Sequence, residues 1–243
     1  MKTDNIISLK DEAMKEFRYN RSEEKKQDLF RVLAEVFGDN PSLHVAGDFS
    51  LNSATPRILI VGTRDIGSYG KSMIRRIVGA LAGLPKRPVI LTKGTFGVCQ
   101  EAIHAALEEK LPLAVMLGSG LDKPYPFAMN GLLETVAATK GDAVMTFKQN
   151  GSVPTAVEML VSTNYLAAIA DIVIVPSSKR HGGAMVAARM AADDGIPVFA
   201  VPGRVDDSRS GGTNQLIAEG LAEPIWDMVE FRKKVEYYCE LIK

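Results

Sequence analysis

The amino-acid sequence predicts an α/β protein built on a doubly wound, mainly parallel sheet, with a short helical segment at the N-terminus. Short apolar runs such as Ile172–Val175 recur along the chain, and their β-branched side chains suit strands buried on both faces. Each run alternates with a segment of good helix propensity, which is typical of a parallel sheet covered by helices. Five of the six runs also end in a loop that carries glycine. Together these three observations predict the fold class.

Charge and cysteine content narrow the classes of function. The 243 residues include 29 basic and 29 acidic side chains, so the overall charge indicates neither a nucleic-acid nor a membrane surface, and any basic site must be local. Cys99 and Cys239 are far apart and belong to no Cys/His cluster, so we expect no disulfide framework, metal site or cofactor. The N-terminus is charged, and no apolar run approaches the roughly 20 residues needed to cross a bilayer. We therefore expect a cytoplasmic protein without membrane contact.

The pattern divides the chain into three parts, which are a helical segment over 1–50, the sheet domain over 51–225 and a C-terminal helix over 226–243. Over 12–38, charges surround apolar residues at helical spacing, and Gly38, Asn40 and Pro41 end the helix. We favour packing of this helix on the main domain of the same chain over binding to a second copy.

The elements of the sheet domain follow in order. Strands are predicted at 57–61, 89–92, 113–117, 143–147, 172–175 and 198–201. Helices are predicted at about 69–82, 98–110, 127–140, 157–170 and 184–192, and a further helix follows the glycines at 211–212.

The glycine loops predict an anion-binding rim. Because parallel strands point the same way, the loops after them meet at one edge of the sheet, where backbone N–H groups and helix N-termini favour an anion. Gly62, Thr63 and Arg64 follow the first strand in the layout of a phosphate loop, although the spacing matches neither the dinucleotide fingerprint nor the Walker A motif. Turn geometry explains one glycine loop. Five glycine loops at the ends of parallel strands, in contrast, indicate a shared anion-binding site.

Basic side chains beside these loops are the candidate phosphate ligands. Arg64 is interpreted as a phosphate ligand rather than a solvated or capping residue, and Lys93 is open to both interpretations. Lys179, Arg180 and His181 precede a predicted helix start, which favours anion binding over a solvated charge run.

Further along the chain, the alternatives are balanced. Arg204 and Arg209 flank a Pro-Gly turn with Asp206 and Asp207 beside them, so phosphate binding and pairing with acids are both open. Thr213 is explained equally well as a helix cap.

Six segments in a fixed order resemble the DNA-processing protein A family (DprA, also called Smf). They are VGTR with YG at 61–70, EAIHAAL at 101–107, MLGSGLDKPYP at 116–126, STNYLAAIAD at 162–171, HGGAMVAARMA at 181–191, and FAVPGRVD with GGTNQLIAEG at 199–220. The resemblance covers about residues 57–225 and implies an extended Rossmann-like core.

The resemblance implies a homodimeric single-stranded DNA-binding protein that acts in natural transformation and helps to load the RecA recombinase. Glycine-loop N–H groups and nearby Arg or Lys can bind successive phosphates without reading the bases. The residues expected to contact DNA or phosphate lie in these loops or at the family position of Asn164. They are Gly62, Thr63, Arg64, Lys93, Gly94, Gly118, Ser119, Gly120, Asn164, Lys179, Arg180, Gly182, Gly183, Arg204, Gly212, Thr213 and Asn214.

Departures from the family pattern support an alternative. The second glycine loop reads TKGTFGVCQ where the family has SGLARGID, and the family's arginine-flanked asparagine is here Thr163-Asn164-Tyr165. With fewer basic groups, the site also suits one small ligand, so a nucleotide sensor or a nucleotide-cleaving enzyme of the related lysine-decarboxylase-like fold is the alternative. A third hypothesis is a self-assembling protein joined through its N-terminal helix and residues 224–243.

No catalytic residue is assigned. The HGGAM loop lacks the glutamate of the PGGxGTxxE motif in those hydrolases. Cys99 and His104 are five residues apart on a helix and do not share a face, so a dyad is not favoured. Phe96, Tyr125 and Tyr165 are open either to stacking on bases or to packing at a loop edge.

Overall fold

The computed structural model describes residues 1–3, 5–8, 23–48 and 55–242 of the chain. Within these ranges a nine-stranded sheet is covered by eight α-helices. The strands are β1 Asn5–Ser8, β2 Ser42–Gly47, β3 Arg57–Ile60, β4 Val89–Lys93, β5 Leu113–Met116, β6 Ala143–Thr146, β7 Ile172–Val175, β8 Val198–Ala200 and β9 Glu223–Pro224. The helices are α1 Glu23–Phe37, α2 Ser68–Ala82, α3 Val98–Glu108, α4 Asn130–Ala138, α5 Ala156–Ile169, α6 Gly183–Asp193, α7 Gly211–Ala218 and α8 Met228–Glu240.

The order of the strands creates a switch point in the middle of the sheet. That order is β1-β2-β6-β5-β4-β3-β7-β8-β9. Neighbouring strands from β6 to β9 are parallel, and among the described strands β2 alone runs against its neighbours, β1 and β6. The chain passes from β3 through β4 and β5 to β6, and then returns to the other side of β3 as β7. Open α/β sheets bind ligands at such a reversal, beyond the carboxyl ends of the strands.

The sheet separates two apolar cores, because successive strand side chains point to opposite faces. Ile58 and Ile60 belong to the core under α2, α3, α4 and α8, whereas Leu59 and Val61 belong to the core under α1, α5, α6 and α7. All four residues of β7 are buried, which accounts for its continuous apolar sequence. The predicted doubly wound, mainly parallel sheet is confirmed, and its six predicted strands correspond to β3–β8.

The N-terminal part differs from the prediction of a purely helical segment over 1–50. Residues 9–22, which include the first half of the predicted helix, lie outside the described residues, and α1 accounts for the second half. β1 and β2 were not predicted, and they extend the same sheet beyond β6. β2 alternates in burial, with Leu43 and Val45 turned inward, so it lacks the continuous apolar run from which the other strands were predicted. α1 packs on α5 of the same chain.

The C-terminal helix α8 packs on α2 and buries Phe231, Val235 and Cys239. Asp227 caps it by accepting hydrogen bonds from the N–H groups of Val229 and Glu230. No helix within the described ranges has both the length and the apolarity that a bilayer crossing requires.

Candidate functional site

A cleft of about 490 Å³ opens at the carboxyl edge of the sheet, beside the switch point. The loops after β3 and β4 and the first turns of α3, α5 and α6 form its walls. The lining residues are Val61, Gly62, Arg64, Lys93, Thr95, Cys99, Ala156, Met159, Leu160, Thr163, Gly182, Gly183, Ala184 and Val186. This volume lies in the usual range of ligand pockets.

Lys93, the last residue of β4, provides a buried amine inside the cleft. Its side chain is 4% exposed, and its Nζ donates a hydrogen bond to the Met159 carbonyl at 3.2 Å. No carboxylate of the described residues pairs with it. The pKa of Lys93 is lowered to about 7, chiefly by burial; the nearby charge of Cys99 raises it and the positive charge of Arg64 lowers it. A buried amine without an acidic partner strongly favours the binding of an anion, because the anion would compensate its charge.

Arg64 lies above Lys93 at the mouth of the cleft. Its guanidinium is exposed, and Nη2 approaches the sulfur of Met159 at 3.8 Å. Among the described residues no carboxylate forms an ion pair with Arg64. The two cations therefore meet at one residue of α5, and both are available to a ligand.

Three helix N-termini face the cleft, and they differ in how they are capped. Thr155 and Glu158 form a capping box at the start of α5, and the Thr63 carbonyl accepts a hydrogen bond from Val98 at the start of α3. α6 has no side-chain cap and begins at the exposed glycines Gly182 and Gly183. Its first N–H groups and its dipole are thus directed to the cleft, where they favour an anion.

Close backbone approach holds the loops of the cleft together. Gly97 has φ +76°, and a Cβ there would lie 2.3 Å from the Thr63 oxygen and 2.5 Å from the Arg64 oxygen. A Cβ on Gly62 would lie 2.4 Å from the Ser177 oxygen. Only glycine permits these contacts, which fix α3 against the loop that carries Arg64.

Five predicted residues, Gly62, Arg64, Lys93, Gly182 and Gly183, line the cleft. Thr63 and Gly94 do not. The Thr63 N–H bonds to Ser177 at 2.9 Å, and a Cβ on Gly94 would lie 2.3 Å from Leu117 in the core.

The Gly118-Ser119-Gly120 loop is buried and serves loop closure. The Ser119 hydroxyl accepts a hydrogen bond from the N–H of Tyr125 at 3.0 Å, and the Gly120 N–H donates to Ser152 at 3.1 Å. None of the three lines the cleft.

The loop after β8 is likewise held by internal bonds. The Asn214 amide bonds to both the N–H and the carbonyl of Gly203, at 3.0 and 2.9 Å. The Thr213 hydroxyl donates to the Ser210 carbonyl at 3.1 Å, and a Cβ on Gly212 would lie 2.4 Å from the Lys179 oxygen. These observations favour a structural role for the GGTN segment, and a ligand contact there stays a prediction.

The basic residues outside the cleft are partly neutralised. Arg204 pairs with Asp206 at 2.7 Å, Arg209 pairs with Asp207 at 2.9 Å, and Lys179 pairs with Asp65 at 3.5 Å. Arg180 is exposed and has no ion-pair partner in the described part of the chain.

The remaining candidates divide between the core and the surface. Asn164 lies one turn beyond Leu160 on α5, and its Oδ1 is buried with no hydrogen-bond partner among the described residues. Tyr165 is 1% exposed and packs edge-on against Phe147, so it belongs to the core. Cys99 is buried in the cleft wall whereas His104 is exposed, so they do not form a dyad.

Met159, Thr163 and Thr95 were not predicted from the sequence. Met159 brings Lys93 and Arg64 together, and the Thr163 hydroxyl donates a second hydrogen bond to its carbonyl, at 2.8 Å. The spacing of Ala156, Met159, Leu160 and Thr163, which places them on one helix face, is the only signal in the sequence.

The fold and the cleft together define a doubly wound α/β protein with a cleft at its topological switch point that is lined by the cations Arg64 and Lys93. The chain belongs to the DNA recombination-mediator protein A family, whose model matches residues 25–236. It is 31% identical over 193 residues to the putative DNA processing protein DprA of Mycobacterium tuberculosis, covering 78% of this chain and 48% of the relative.

Two solved structures agree with this assignment. DNA processing protein A from Helicobacter pylori, described for its single-stranded DNA binding mode, matches with a TM-score of 0.73 and 25% identity over 97% of this chain and 98% of that one. DprA from Streptococcus pneumoniae matches with a TM-score of 0.71 and 26% identity over 89% and 75% of the two chains. The chain spans about half to two thirds of the length of the curated relatives, 48% and 64% for the M. tuberculosis and S. pneumoniae proteins.

Proposed function

We propose that the protein binds single-stranded DNA through its phosphates at the cleft, without sequence preference. The observation that carries this proposal is the buried amine of Lys93, which has no acidic partner in the described residues and lies beside Arg64. The uncapped N-terminus of α6 adds backbone N–H groups at the same place. Such contacts recognise the backbone of a strand and not its bases.

Family membership supports the choice of DNA among anionic ligands. The related H. pylori protein is described as binding single-stranded DNA. Exposed Arg180, which has no ion-pair partner among the described residues, extends the positive surface from the cleft along the loop after β7, as a ligand with several phosphates requires. Lys179 beside it is also exposed, and its charge is shared with Asp65.

The biological role that we propose is that of a recombination mediator. The family's description as a recombination mediator supports this role. In our proposal the protein passes bound single-stranded DNA to the RecA recombinase during DNA uptake. Loading is measured as the rate at which RecA assembles on DNA already covered by a single-strand-binding protein, with and without this chain.

Fluorescence anisotropy with a labelled oligonucleotide of about 35 thymidines tests the binding step. We expect affinity to fall steeply as salt rises, because bound cations displace counterions from the DNA. Arg64→Ala should weaken binding about tenfold, equally for all sequences, and lower the salt slope by about one. A Lys179/Arg180 double alanine variant should weaken binding in the same sequence-independent way.

Arg76→Ala is the matched control, because Arg76 is exposed on α2 and does not line the cleft. It should bind as the unaltered protein does. Binding that is absent, or that salt leaves unchanged, contradicts the proposal.

The alternative is a nucleotide sensor or a nucleotide-cleaving enzyme, and one observation favours it. Arg204, Arg209 and Lys179 are paired with acids, which leaves Arg64 and Lys93 as the cations of the cleft, a number that suits one nucleotide. A mononucleotide should then raise the melting temperature, while oligonucleotides show no length dependence.

A further inference from the structure

A second cavity of about 370 Å³ lies on the opposite side of α5 from the cleft, where β6 ends. Glu158 faces this cavity, whereas Ala156, Met159 and Leu160 of the same helix face the cleft. The lining residues that matter for a ligand are Phe37, His44, Phe147, Lys148, Gln149 and Ser152.

The second cavity combines an aromatic surface with polar walls. The rings of Phe37 and Phe147 stack with centroids 4.9 Å apart. His44, Gln149 and Ser152 also line it, and none of their side chains forms a hydrogen bond within the described ranges. These groups offer donors and acceptors to a ligand.

The Lys148–Glu158 ion pair keeps this wall in place. Both side chains are largely buried, and Glu158 also accepts a hydrogen bond from the Thr155 N–H in the capping box of α5. Partial burial raises the pKa of Glu158, but the hydrogen bonds from Lys148 and Thr155 outweigh it, so the net pKa lies below the usual value. Because the two charges satisfy each other, the cavity has less attraction for a phosphate than the cleft has.

An aromatic surface together with unpaired polar edges suits a nucleobase, which has a flat π-face and a hydrogen-bonding rim. We propose that the second cavity holds a base of the same DNA strand whose phosphates bind in the cleft. This inference rests on the proposed function, and it assigns a role in binding to β1, β2 and α1, which contribute no residue to the cleft.

The geometry of the sheet edge allows a DNA strand to pass from the cleft to the second cavity. β2 runs antiparallel to β6, with His44 opposite Thr146, so the start of β2 and the end of β6 lie at the same edge as the cleft. The first turns of α5 separate the two cavities by about one helix diameter, ~10 Å. Between the two cavities, the DNA strand passes over the apolar side chains of Val153 and Val157, which are 72% and 59% exposed.

A thermodynamic cycle, in which the binding affinity is measured after changing the protein, the DNA or both, tests the proposal. The protein change is His44→Ala with Gln149→Ala, and the DNA change replaces an oligonucleotide of about 35 thymidines by one of equal length with abasic sites throughout, which keeps the phosphates. We expect the double variant to bind the thymidine strand about fivefold more weakly and the abasic strand as the unaltered protein does. Arg64→Ala should weaken both.

Gln215→Ala serves as control, because Gln215 is on α7 and lines neither cavity. If the double variant loses thermal stability, Gln149→Ala alone enters the same cycle, since Gln149 is an exposed loop residue.

The outcomes separate this proposal from the proposed function. If Arg64→Ala weakens both strands but the double variant weakens neither, or weakens both alike, DNA binding at the cleft stands and the base site is overturned. If the unaltered protein binds neither strand, both proposals fail.

Discussion

At the scale of single residues, Lys93 is where stability and ligand binding oppose each other. Burial lowers the pKa of its amine from 10.5 to about 7. Between these two pH values the folded protein has lost a proton that the unfolded chain still holds, so unfolding takes up a proton and stability rises with pH. Below pH 7 both states are protonated, and the folded protein bears the full cost of a buried charge.

Lys93→Met should therefore raise the free energy of unfolding below pH 7, by about 1–3 kcal/mol. The Met159 carbonyl keeps the hydrogen bond from Thr163 in this variant. Urea denaturation over a pH series measures the effect, with Lys233→Met on α8 as the control, because Lys233 is exposed. Destabilisation by Lys93→Met would show instead that the lysine supports the fold.

The same substitution should weaken DNA binding and remove part of its pH dependence. A bound phosphate favours the charged amine, so the affinity of the unaltered protein should fall as the pH rises through about 7. We expect Lys93→Met to bind about tenfold more weakly at low pH and to show a flatter pH profile in the anisotropy assay. A profile identical to that of the unaltered protein would exclude Lys93 from the site.

At the scale of elements, glycine contacts decide how α3 meets the loop after β3. Gly97→Ala would place a Cβ 2.3 Å from the Thr63 oxygen in a backbone conformation with φ +76°. We expect a loss of stability of about 2 kcal/mol or more, together with weaker DNA binding, because the loop that carries Arg64 must move.

Two other glycines give a graded comparison for this variant. Gly141→Ala has the same kind of strained backbone, φ +86°, but meets nothing within 4 Å, so it should cost only about 1 kcal/mol. Gly131→Ala lies in α4 without strain or contact, and it should stabilise the protein by about 0.5–1 kcal/mol. Equal losses for Gly97→Ala and Gly141→Ala would contradict a role for close contact.

At the scale of the whole molecule, we predict a homodimer. The segment that includes α8 exposes a row of apolar side chains, since Trp226, Val229, Tyr237 and Leu241 are 71%, 62%, 58% and 59% exposed. Surfaces of this kind commonly bind a protein partner. Light scattering should give about twice the chain mass of 26.3 kDa.

A Trp226→Ser/Tyr237→Ser variant should shift this equilibrium towards the monomer while its melting temperature stays close to that of the unaltered protein at low concentration. A Tyr69→Ser variant, also exposed but on α2, is the control. A concentration-independent monomer for the unaltered protein would contradict the prediction.

The sequence by itself determined the parallel sheet, its strands β3–β8 and the position of the cleft. Apolar β-branched runs and the glycines after them are local signals, and a parallel sheet brings every strand end to one edge. Gly62, Arg64, Lys93, Gly182 and Gly183 could be placed at the site for that reason.

Tertiary structure alone decided which charges are available and what completes the site. Arg204 and Lys93 look equivalent in sequence, but Arg204 pairs with Asp206 in solvent while Lys93 is buried without an acid among the described residues. Met159 lines the cleft because α5 packs against the sheet beside β4. β2 belongs to the sheet because it pairs with β6. Burial, ion pairing and strand neighbours depend on contacts between residues far apart in the chain, so local sequence patterns do not specify them.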